Sequence, residues 1–342
     1  MRNLFAGMAL AATLFATSAH ADVTLTISNW LAPTHPLRTD ALDVWTRNIE
    51  VATEGRVKFR TLPKAIGATG AQVDVVSQGL ADVGFIAHGY APGRFVLQEV
   101  AELPFLGNRG ADVSPAYWRV FDKVLRKYNE HEGVVVLSVM TASAGQLHNT
   151  RVDVKSVSDI AGMKIRVPGG ATTEIVKLLG AVPILKPVNE TYELLSTGVV
   201  DGTLFALASV KANNMLDLLK HTTNIPGGLY NASYSLFVNP DKWNAIDEAD
   251  RARIMAESGE KFAALWGSVL DKQDIAAEEA AKATGNTILT ADPAMVDDVK
   301  ARLSGVEDTW IAAAKAKGLD NAADVLTSLR KEIADNELAD KK

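Results

Sequence analysis

The amino-acid sequence predicts an α/β fold of two lobes, in which mixed sheets are flanked by helices and one long helix crosses both lobes. Residues 163–206 alternate as strand, helix, strand, helix and strand, which is the order of a parallel sheet. The pattern Ser-x-Gly-x-x-Asp-x-x-x-x-Ala occurs at 77–87 and again at 196–206. This favours two lobes of one plan over a chance recurrence of turn residues. Apolar side chains keep a helical spacing over 248–283, and a helix of that length spans roughly 54 Å.

The N-terminal residues 1–21 have the pattern of a signal peptide. Arg2 supplies a positive charge, residues 4–16 form an apolar core, and residues 19–21 read Ala-His-Ala, a small-residue cleavage site. An N-terminal membrane anchor is the weaker alternative, because the apolar core is shorter than the ~20 residues that a membrane span needs. The sequence therefore predicts export to the periplasm and a mature chain that begins at Asp22.

Composition narrows the class of partner. The 342 residues suffice for two ordinary domains, and 47% of them are hydrophobic, so cores of normal size are feasible. The formal net charge is −6 and no basic run occurs, which argues against a nucleic-acid partner. The chain contains no cysteine, which excludes disulfides, thiolate metal sites and a cysteine nucleophile.

The first lobe is predicted to begin with a strand at 23–28, where β-branched residues alternate with others. Further elements are predicted as strands at 57–62 and 83–87 and as helices at 40–53 and 72–80. Ligands of α/β sheets bind beyond the carboxyl ends of the strands, which makes Trp30 and His88 candidate ligand contacts. For both residues a packing role in the core is the alternative.

The strand predicted at 163–167 carries Arg166 near its carboxyl end, two residues before Pro168. A guanidinium is always charged, and its planar fork matches the two oxygens of a carboxylate. Arg166 is therefore the first candidate for binding an anionic ligand, with Pro168 beside it. The alternative is an arginine at a sheet edge or one paired with a structural acid. The lobe continues with helices predicted at 171–179 and 189–197 and strands predicted at 182–186 and 203–206.

Four segments of this lobe resemble a known family. They read Gly-Met-Lys-Ile-Arg-Val at 162–167, Leu-Gly-Ala-Val-Pro at 179–183, Glu-Thr-Tyr at 190–192 and Thr-Gly-Val-Val-Asp-Gly at 197–202. In this order and spacing they resemble the solute receptors of tripartite ATP-independent periplasmic (TRAP) transporters, the DctP-type family. The resemblance implies a two-lobed periplasmic binding protein fold, type II-like, with Arg166 binding a ligand carboxylate in the interlobe cleft. It also implies a membrane permease partner with a small and a large subunit.

Two further positions acquire a meaning from the resemblance. Gln146 falls where many members place a second arginine, and its amide can donate to one carboxylate oxygen without adding charge. Phe205 falls where other members place asparagine or tryptophan, and it would give the ligand an apolar wall, with ordinary strand packing as the alternative. Receptors that bind through a metal have an acid just before that position. This chain has Leu204 there, so we expect no metal and no other cofactor.

The expected ligand is a small monocarboxylate with an apolar or aromatic body, because the cleft is predicted to hold one strong cation beside Phe205. A 2-oxoacid or a C4-dicarboxylate, both common ligands of the family, is the alternative. Tyr230 would reach this cleft or pack at the hinge. No nucleophile-and-base motif and no phosphate loop occurs, so the protein is predicted not to be an enzyme. An exported enzyme that acts on a small acid is the less favoured alternative.

The chain is predicted to pass between the lobes at 140–145 and to return at 225–230. Lobe I would comprise 22–143 and about 231–265, and lobe II would comprise 144–230 and about 266–334. Residues 335–342 are predicted to form a polar tail. The other predicted elements are helices at 118–128 and 207–219, strands at 133–139, 235–238 and 287–289, and further helices up to about 334.

Overall fold

The computed structural model describes residues 22–339, so the predicted signal peptide at 1–21 and residues 340–342 lie outside the described chain. The strands are β1 (Val23–Ser28), β2 (Val57–Thr61), β3 (Val83–Ala87), β4 (Val135–Asn149), β5 (Lys164–Val167), β6 (Val182–Leu185), β7 (Gly202–Phe205), β8 (His221–Asn224), β9 (Tyr230–Val238) and β10 (Thr287–Thr290). The α-helices are α1 (Asp43–Ala52), α2 (Gln72–Ser77), α3 (Gly110–Val120), α4 (Ala171–Leu178), α5 (Val188–Ser196), α6 (Leu207–Ala212), α7 (Pro240–Ala245), α8 (Glu248–Glu257), α9 (Gly259–Ala283), α10 (Pro293–Ala316) and α11 (Ala322–Ala339).

These strands form one sheet with the order β2-β1-β3-β9-β4-β7-β5-β6, and β8 pairs with both β4 and β10. The parallel strands β2, β1 and β3 make up the first half of the sheet, and the parallel strands β7, β5 and β6 make up the second half. Between them, β9 and β4 run antiparallel to their neighbours and join the halves. The predicted α/β fold with mixed strands and flanking helices is confirmed.

The passage from the first half to the second is itself a strand. We expected a strand at 133–139 and a connecting segment at 140–145, whereas β4 continues without interruption to Asn149. Its first part pairs with β9, and its last part pairs with β7 and β8. The extended conformation persists because neighbouring strands take up its backbone hydrogen bonds over nearly the whole length.

Most predicted elements occur at the predicted places, and β1 and β3 match residue for residue. The helix predicted at 207–219 is too long, because α6 ends at Ala212. Two residues later Asn214 takes the left-handed conformation, with a φ of 57°. A left-handed residue ends a helix, and asparagine adopts that conformation more readily than most residues.

The long helix predicted at 248–283 is interrupted once, because α8 ends before Ser258 and the 25-residue α9 begins after it. Ser258 has a ψ of −148°, and its hydroxyl accepts a hydrogen bond of 3.0 Å from the indole of Trp45. Gly259 has a φ of +53°, and a Cβ there would lie 2.9 Å from Trp118. The break between α8 and α9 is thus the place where the chain contacts Trp45 and Trp118. The prediction of a helix that crosses both halves is confirmed for α9, which packs against α3, before β4, and against α6, after β7.

The crossing of α9 and α3 depends on two glycines. A Cβ at Gly267 would lie 2.2 Å from the carbonyl oxygen of Gly110, a backbone atom that cannot turn away. We expect Gly267→Ala to lower the free energy of unfolding by about 1–3 kcal/mol, because an added atom forces the helices apart. Gly305→Ala on α10, where a Cβ would meet open space, is the control and should stabilise by roughly 0.5–1 kcal/mol. Thermal denaturation measures both, and equal melting temperatures would contradict the packing argument.

The two C-terminal helices pack against different parts of the chain. α10 contacts α4 beside the second half, whereas α11 contacts α3, which was predicted in lobe I. The predicted lobe boundaries, which place most of α11 in lobe II, stay a prediction. The predicted tail at 335–342 begins too early, because α11 extends to Ala339 and Asn336 donates to the Asp112 carbonyl at 2.7 Å. No helix within residues 22–339 has the length and apolar character needed to cross a membrane.

Candidate functional site

The carboxyl ends of the parallel strands in the two halves face each other across a space that we call the cleft. A cavity of about 470 Å³ is lined by Trp30, which follows β1, and by Val188 from the second half. A neighbouring cavity of about 220 Å³ is lined by Tyr90, which follows β3, and by Pro168 and Lys186, which follow β5 and β6. Trp30 and Pro168 thus line cavities beyond the carboxyl ends of their strands, and the ligand contacts expected of them stay predictions.

Arg166 is fully buried at the second-half side of the cleft, with 0% of its surface exposed. Its Nε donates to the carbonyl of Lys186 at 2.7 Å, and its Nη2 donates to the hydroxyl of Tyr90 at 3.4 Å. Its Nη1 has no hydrogen-bond partner. Within residues 22–339, the partners of this guanidinium are thus a carbonyl and a phenol, and neither of them is negatively charged.

A buried cation without an anion is costly, because removing an ion from water costs several kcal/mol, on the order of 3–5 when its partner is missing. Part of this cost is offset by the ring of Phe205, whose centroid lies 4.4 Å from Cζ of Arg166. Phe205 therefore contacts the predicted cation directly, while it also packs in the apolar cluster around α6. An anionic ligand would complete this arrangement.

Tyr90 links the two halves, and the sequence analysis missed it. Its hydroxyl accepts hydrogen bonds from the backbone N–H of Val188 at 3.1 Å and from Arg166, both in the second half. A phenol has two lone pairs and one proton, so these two bonds leave the proton of Tyr90 to be donated elsewhere. The only signal in the sequence is the position of Tyr90 just beyond β3, where His88 was chosen instead.

Trp30 forms an aromatic wall on the first-half side. Its ring stacks on Phe85 with centroids 4.8 Å apart and meets the edge of Tyr90 at 5.8 Å. Its indole N–H donates to the Phe85 carbonyl at 3.0 Å, so the polar atom of the ring is satisfied. The ring therefore offers the cavity an apolar surface.

Gln146 and Tyr230 lie at the junction of the halves, and both already bind backbone groups. The amide of Gln146 accepts from the N–H of Ile225 at 2.7 Å and donates to its carbonyl at 3.2 Å, which leaves one N–H free of these bonds. The hydroxyl of Tyr230 donates to the Leu204 carbonyl at 3.1 Å. Both interactions hold the return crossing, and the ligand contacts that we expected of these two residues stay predictions.

The structure gives His88 a packing role in place of the expected ligand contact. Its Nδ1 lies 2.9 Å from the hydroxyl of Ser233, and its Nε2 lies 3.3 Å from Nε2 of His131. Burial and the neighbouring His131 lower the pKa of His88 well below its ordinary value, and burial lowers the pKa of His131 to about 3. Neutral imidazoles packed against Phe95 belong to the core.

Residues 22–339 contain no group of three or more histidine, aspartate or glutamate side chains placed to hold a metal ion. Leu204, which occupies the position where an acid would be needed, is buried with 1% of its surface exposed. The metal-free site stays a prediction.

Comparison with known families and structures gives consistent matches. Residues 27–311 match the model of the family described as bacterial extracellular solute-binding protein, family 7 (DctP). A curated relative from Comamonas testosteroni, the "Outer membrane transporter protein TsaT", is 28% identical over 329 residues, which are 96% of this chain and 97% of the relative.

Two solved structures resemble this chain over nearly its whole length. A TRAP periplasmic solute-binding protein from Bordetella bronchiseptica with bound (R)-mandelate and (S)-mandelate is 40% identical. Its TM-score is 0.89, with 92% of this chain and 99% of that one covered. A TRAP solute-binding protein from Rhodoferax ferrireducens in complex with copurified benzoate is 26% identical, with a TM-score of 0.87 and with 93% and 99% of the chains covered.

Proposed function

Because this chain belongs to family 7 of the bacterial extracellular solute-binding proteins (DctP), we propose that it is a TRAP receptor that binds a small aromatic monocarboxylate in the cleft. Members of this family are solute-binding proteins and not enzymes. Its mature form would act in the periplasm after removal of residues 1–21. It would deliver the ligand, unchanged, to a permease with a small and a large membrane subunit.

The observation that carries this proposal is the buried guanidinium of Arg166, which has no anionic partner in the described part of the chain, residues 22–339. Its Nη1 has no partner, and its Nη2 makes only a long bond of 3.4 Å to Tyr90. A carboxylate placed on these two atoms would form a bidentate pair of opposite charges, which is stronger than the single long bond to an uncharged phenol that it replaces. One guanidinium without a counter-charge supports a ligand with one carboxylate.

The remainder of the cleft supports an aromatic body for the ligand. Trp30 on the first half lines the larger cavity and meets the edge of the Tyr90 ring, and the ring of Phe205 on the second half lies against the guanidinium. Aromatic surfaces pack well against a flat ring and gain little from a second carboxylate. The mandelate and benzoate that occupy two related receptors have this chemistry, one carboxylate on an aromatic body.

Isothermal titration calorimetry with (R)-mandelate, benzoate, 2-oxoglutarate and succinate tests the proposal. We expect heat and a single site with the aromatic acids and a much weaker response, or none, with the two dicarboxylates. Tight binding of a dicarboxylate without binding of an aromatic acid would overturn the proposed ligand class. Recovery of a converted ligand after incubation would overturn the receptor function in favour of an enzyme.

Tyr90 gives a second, independent test of the same site. We expect Tyr90→Phe to weaken binding of (R)-mandelate about tenfold, because a hydrogen bond to a charged group contributes roughly 1.5–3 kcal/mol and part of it is replaced. Calorimetry measures the affinity, and the melting temperature of the unliganded variant shows whether folding is intact. Tyr128→Phe, far from the cleft, is the matched control and should bind like the wild type. Unchanged affinity of Tyr90→Phe would exclude the hydroxyl as a ligand contact.

A further inference from the structure

The buried carboxylate of Glu102 lies between the two halves of the protein, at a place that the proposed ligand site does not use. Glu102 lies at the end of the short helical turn Gln98–Glu102, with 3% of its surface exposed. One oxygen, Oε1, accepts hydrogen bonds from the hydroxyl and the N–H of Ser233, at 2.7 Å and 3.3 Å. The other oxygen, Oε2, is buried and has no hydrogen-bond partner among the residues that the structure describes.

The unpartnered oxygen faces the segment that follows Arg166. Gly170 stands at the N-terminal end of α4, and a Cβ placed there would lie 2.2 Å from Oε2 of Glu102. Only a residue without a side chain allows this approach. Because Gly170 follows β5 in the second half and Glu102 precedes β4 in the first, this contact joins the two halves.

Other carboxylates crowd the same contact. Oε1 of Glu99 would lie 3.7 Å from a Cβ at Gly170, and Glu174 stands in the first turn of α4. Glu130 is a further carboxylate near this contact, and it accepts a hydrogen bond from the backbone N–H of Leu97 at 2.9 Å. No salt bridge joins Glu99, Glu102 or Glu174 to a lysine or arginine in the part of the chain that the structure describes. Glu99, Glu102 and Glu130 all precede β4 in the first half, so closing the cleft brings the Glu174 carboxylate of α4 to carboxylates that are already there.

The remaining titratable groups around these carboxylates do not offset the negative charge. They are the imidazoles of His88 and His131 and the phenols of Tyr117, Tyr230 and Tyr234. Burial lowers the pKa of both imidazoles and raises the pKa of the three phenols, so all five are neutral near pH 7. The charge of Lys317 lowers the pKa of Glu130, and the charge of Arg166 lowers the pKa of Tyr230 and of Tyr234.

We propose that closure of the cleft takes up protons at Glu99 and Glu102, so that the receptor closes more readily, and holds its ligand more tightly, as the pH falls. These two glutamates are separate from the ligand site at Arg166. Their effect on ligand affinity rests on the proposed receptor function. It ties ligand retention to the acidity of the surroundings, since protonation removes the repulsion that opposes the closed form.

The direction of the effect follows from the pKa of each group in the closed form. Burial first, and then the charge of Glu99, raise the pKa of Glu102 from 4.5 to about 8. Burial first, and then Glu130 and Glu174, raise the pKa of Glu99 from 4.5 to about 7. In an open form Gly170 and Glu174 withdraw and water reaches both carboxylates, which lowers these values again. Between about pH 8 and pH 5 the closed form therefore binds more protons, and lower pH favours it.

The wild-type protein provides the first test. Titration calorimetry with (R)-mandelate at pH 8, 7 and 6, where the ligand stays ionised, should show affinity rising on the order of tenfold from pH 8 to pH 6. Repeating the titration at pH 7 in buffers of different ionisation enthalpy should show net proton uptake. An affinity independent of pH, with no proton uptake, overturns the proposal.

Two variants and a control localise the effect. Glu102→Gln keeps the shape and the acceptor oxygen for Ser233 but removes the charge, so it should bind more tightly than wild type at pH 8 and lose most of the pH dependence. Glu99 is half-buried, so Glu99→Gln should show a smaller change of the same sign. This variant tests the proposal if Glu102→Gln does not fold. Glu193→Gln, on an exposed residue of α5, should keep the wild-type profile. A full wild-type pH profile in both cleft variants also overturns the proposal.

A measurement without ligand separates this inference from the proposed function. Small-angle X-ray scattering of the unliganded wild type should give a smaller radius of gyration at pH 5.5 than at pH 8, with the difference reduced in Glu102→Gln. If no aromatic acid binds at any pH, the proposed ligand class fails while the scattering result still decides on the proton uptake. An unchanged radius of gyration across this range in that case overturns the closure device itself.

Discussion

Replacing Arg166 with methionine is expected to weaken the binding of (R)-mandelate or benzoate by at least about a hundredfold. Removal of one partner of a buried ion pair costs roughly 3–5 kcal/mol, and each 1.4 kcal/mol is about a factor of ten in affinity. Methionine fills most of the volume of the arginine side chain. The loss of affinity therefore measures the charge and the planar guanidinium rather than the effect of a cavity. Arg166→Lys keeps the charge without the planar fork and should fall between wild type and Arg166→Met.

The unliganded stability provides the internal check on this prediction. Because Arg166 has no anionic partner among residues 22–339 and an orphaned Nη1, Arg166→Met should not lower the melting temperature of the free protein. Arg151→Met is the matched control, since Arg151 is 55% exposed and pairs with Asp201 at 3.5 Å on the same side of the molecule. An Arg166→Met protein that is folded and binds within about threefold of the wild type would refute the assignment of this residue.

Gly169→Ala is expected to weaken ligand binding about tenfold or more while the unliganded protein stays folded. Gly169 follows Arg166 and Pro168, has a φ of +117°, and would place a Cβ 2.1 Å from the carbonyl oxygen of Gly89. Gly89 lies beyond β3 in the first half, so this backbone contact closes the cleft. An extra methyl group cannot fit there, and the halves must stay apart at a cost of about 1–3 kcal/mol.

Gly162→Ala separates closure from backbone strain. Gly162 also has a positive φ, of +74°, but a Cβ there would meet no atom within 4 Å. Both variants carry the cost of about 1–2 kcal/mol for a side chain in the left-handed region, and only Gly169→Ala adds the clash across the cleft. Affinity by calorimetry and compactness by small-angle scattering measure the difference. Equal affinities in the two variants would mean that the contact between Gly89 and Gly169 does not limit closure.

The contacts of Tyr90 and Gly169 across the cleft explain how ligand binding and closure can be linked. Two interactions cross the cleft beside the ligand site, the bond from the Val188 N–H to the Tyr90 hydroxyl at 3.1 Å and the close approach of Gly169 to Gly89. A carboxylate on Arg166 would meet both halves at once, because Tyr90 already touches the same guanidinium. Binding energy and closure are thereby coupled through one side chain from each half.

Much of the site was predictable because the geometry of parallel strands is local. Arg166 is the third residue of the four-residue strand β5, and Trp30 and Pro168 stand just beyond β1 and β5. Carboxyl ends of parallel strands lie at one edge of a sheet whatever the remainder of the chain does. Phe205, which the family resemblance singled out, stands at the end of β7 and contacts Arg166.

The errors have a common cause, which is the direction of individual side chains. His88 and Tyr90 stand two residues apart beyond β3, and the sequence does not indicate which of them turns into the core and which turns into the cleft. Packing decides, because His88 fits between Phe95 and Ser233 while the hydroxyl of Tyr90 finds a backbone N–H across the cleft. Gln146 also binds the backbone of Ile225, 79 residues away, and its expected ligand contact stays a prediction.

The sequence by itself determined the order of strands and helices, the membership of the chain in a receptor family, and the presence of a guanidinium at a strand end. These follow from periodicity and from short motifs, whose physical causes act over a few neighbouring residues. Tertiary structure alone decided that Arg166 has no counter-charge among residues 22–339, that Tyr90 reaches it, that the long helix breaks at Ser258 and that α11 packs on α3. Each of these depends on residues that are distant along the chain and meet only when the apolar surfaces of the helices and the sheet are buried together.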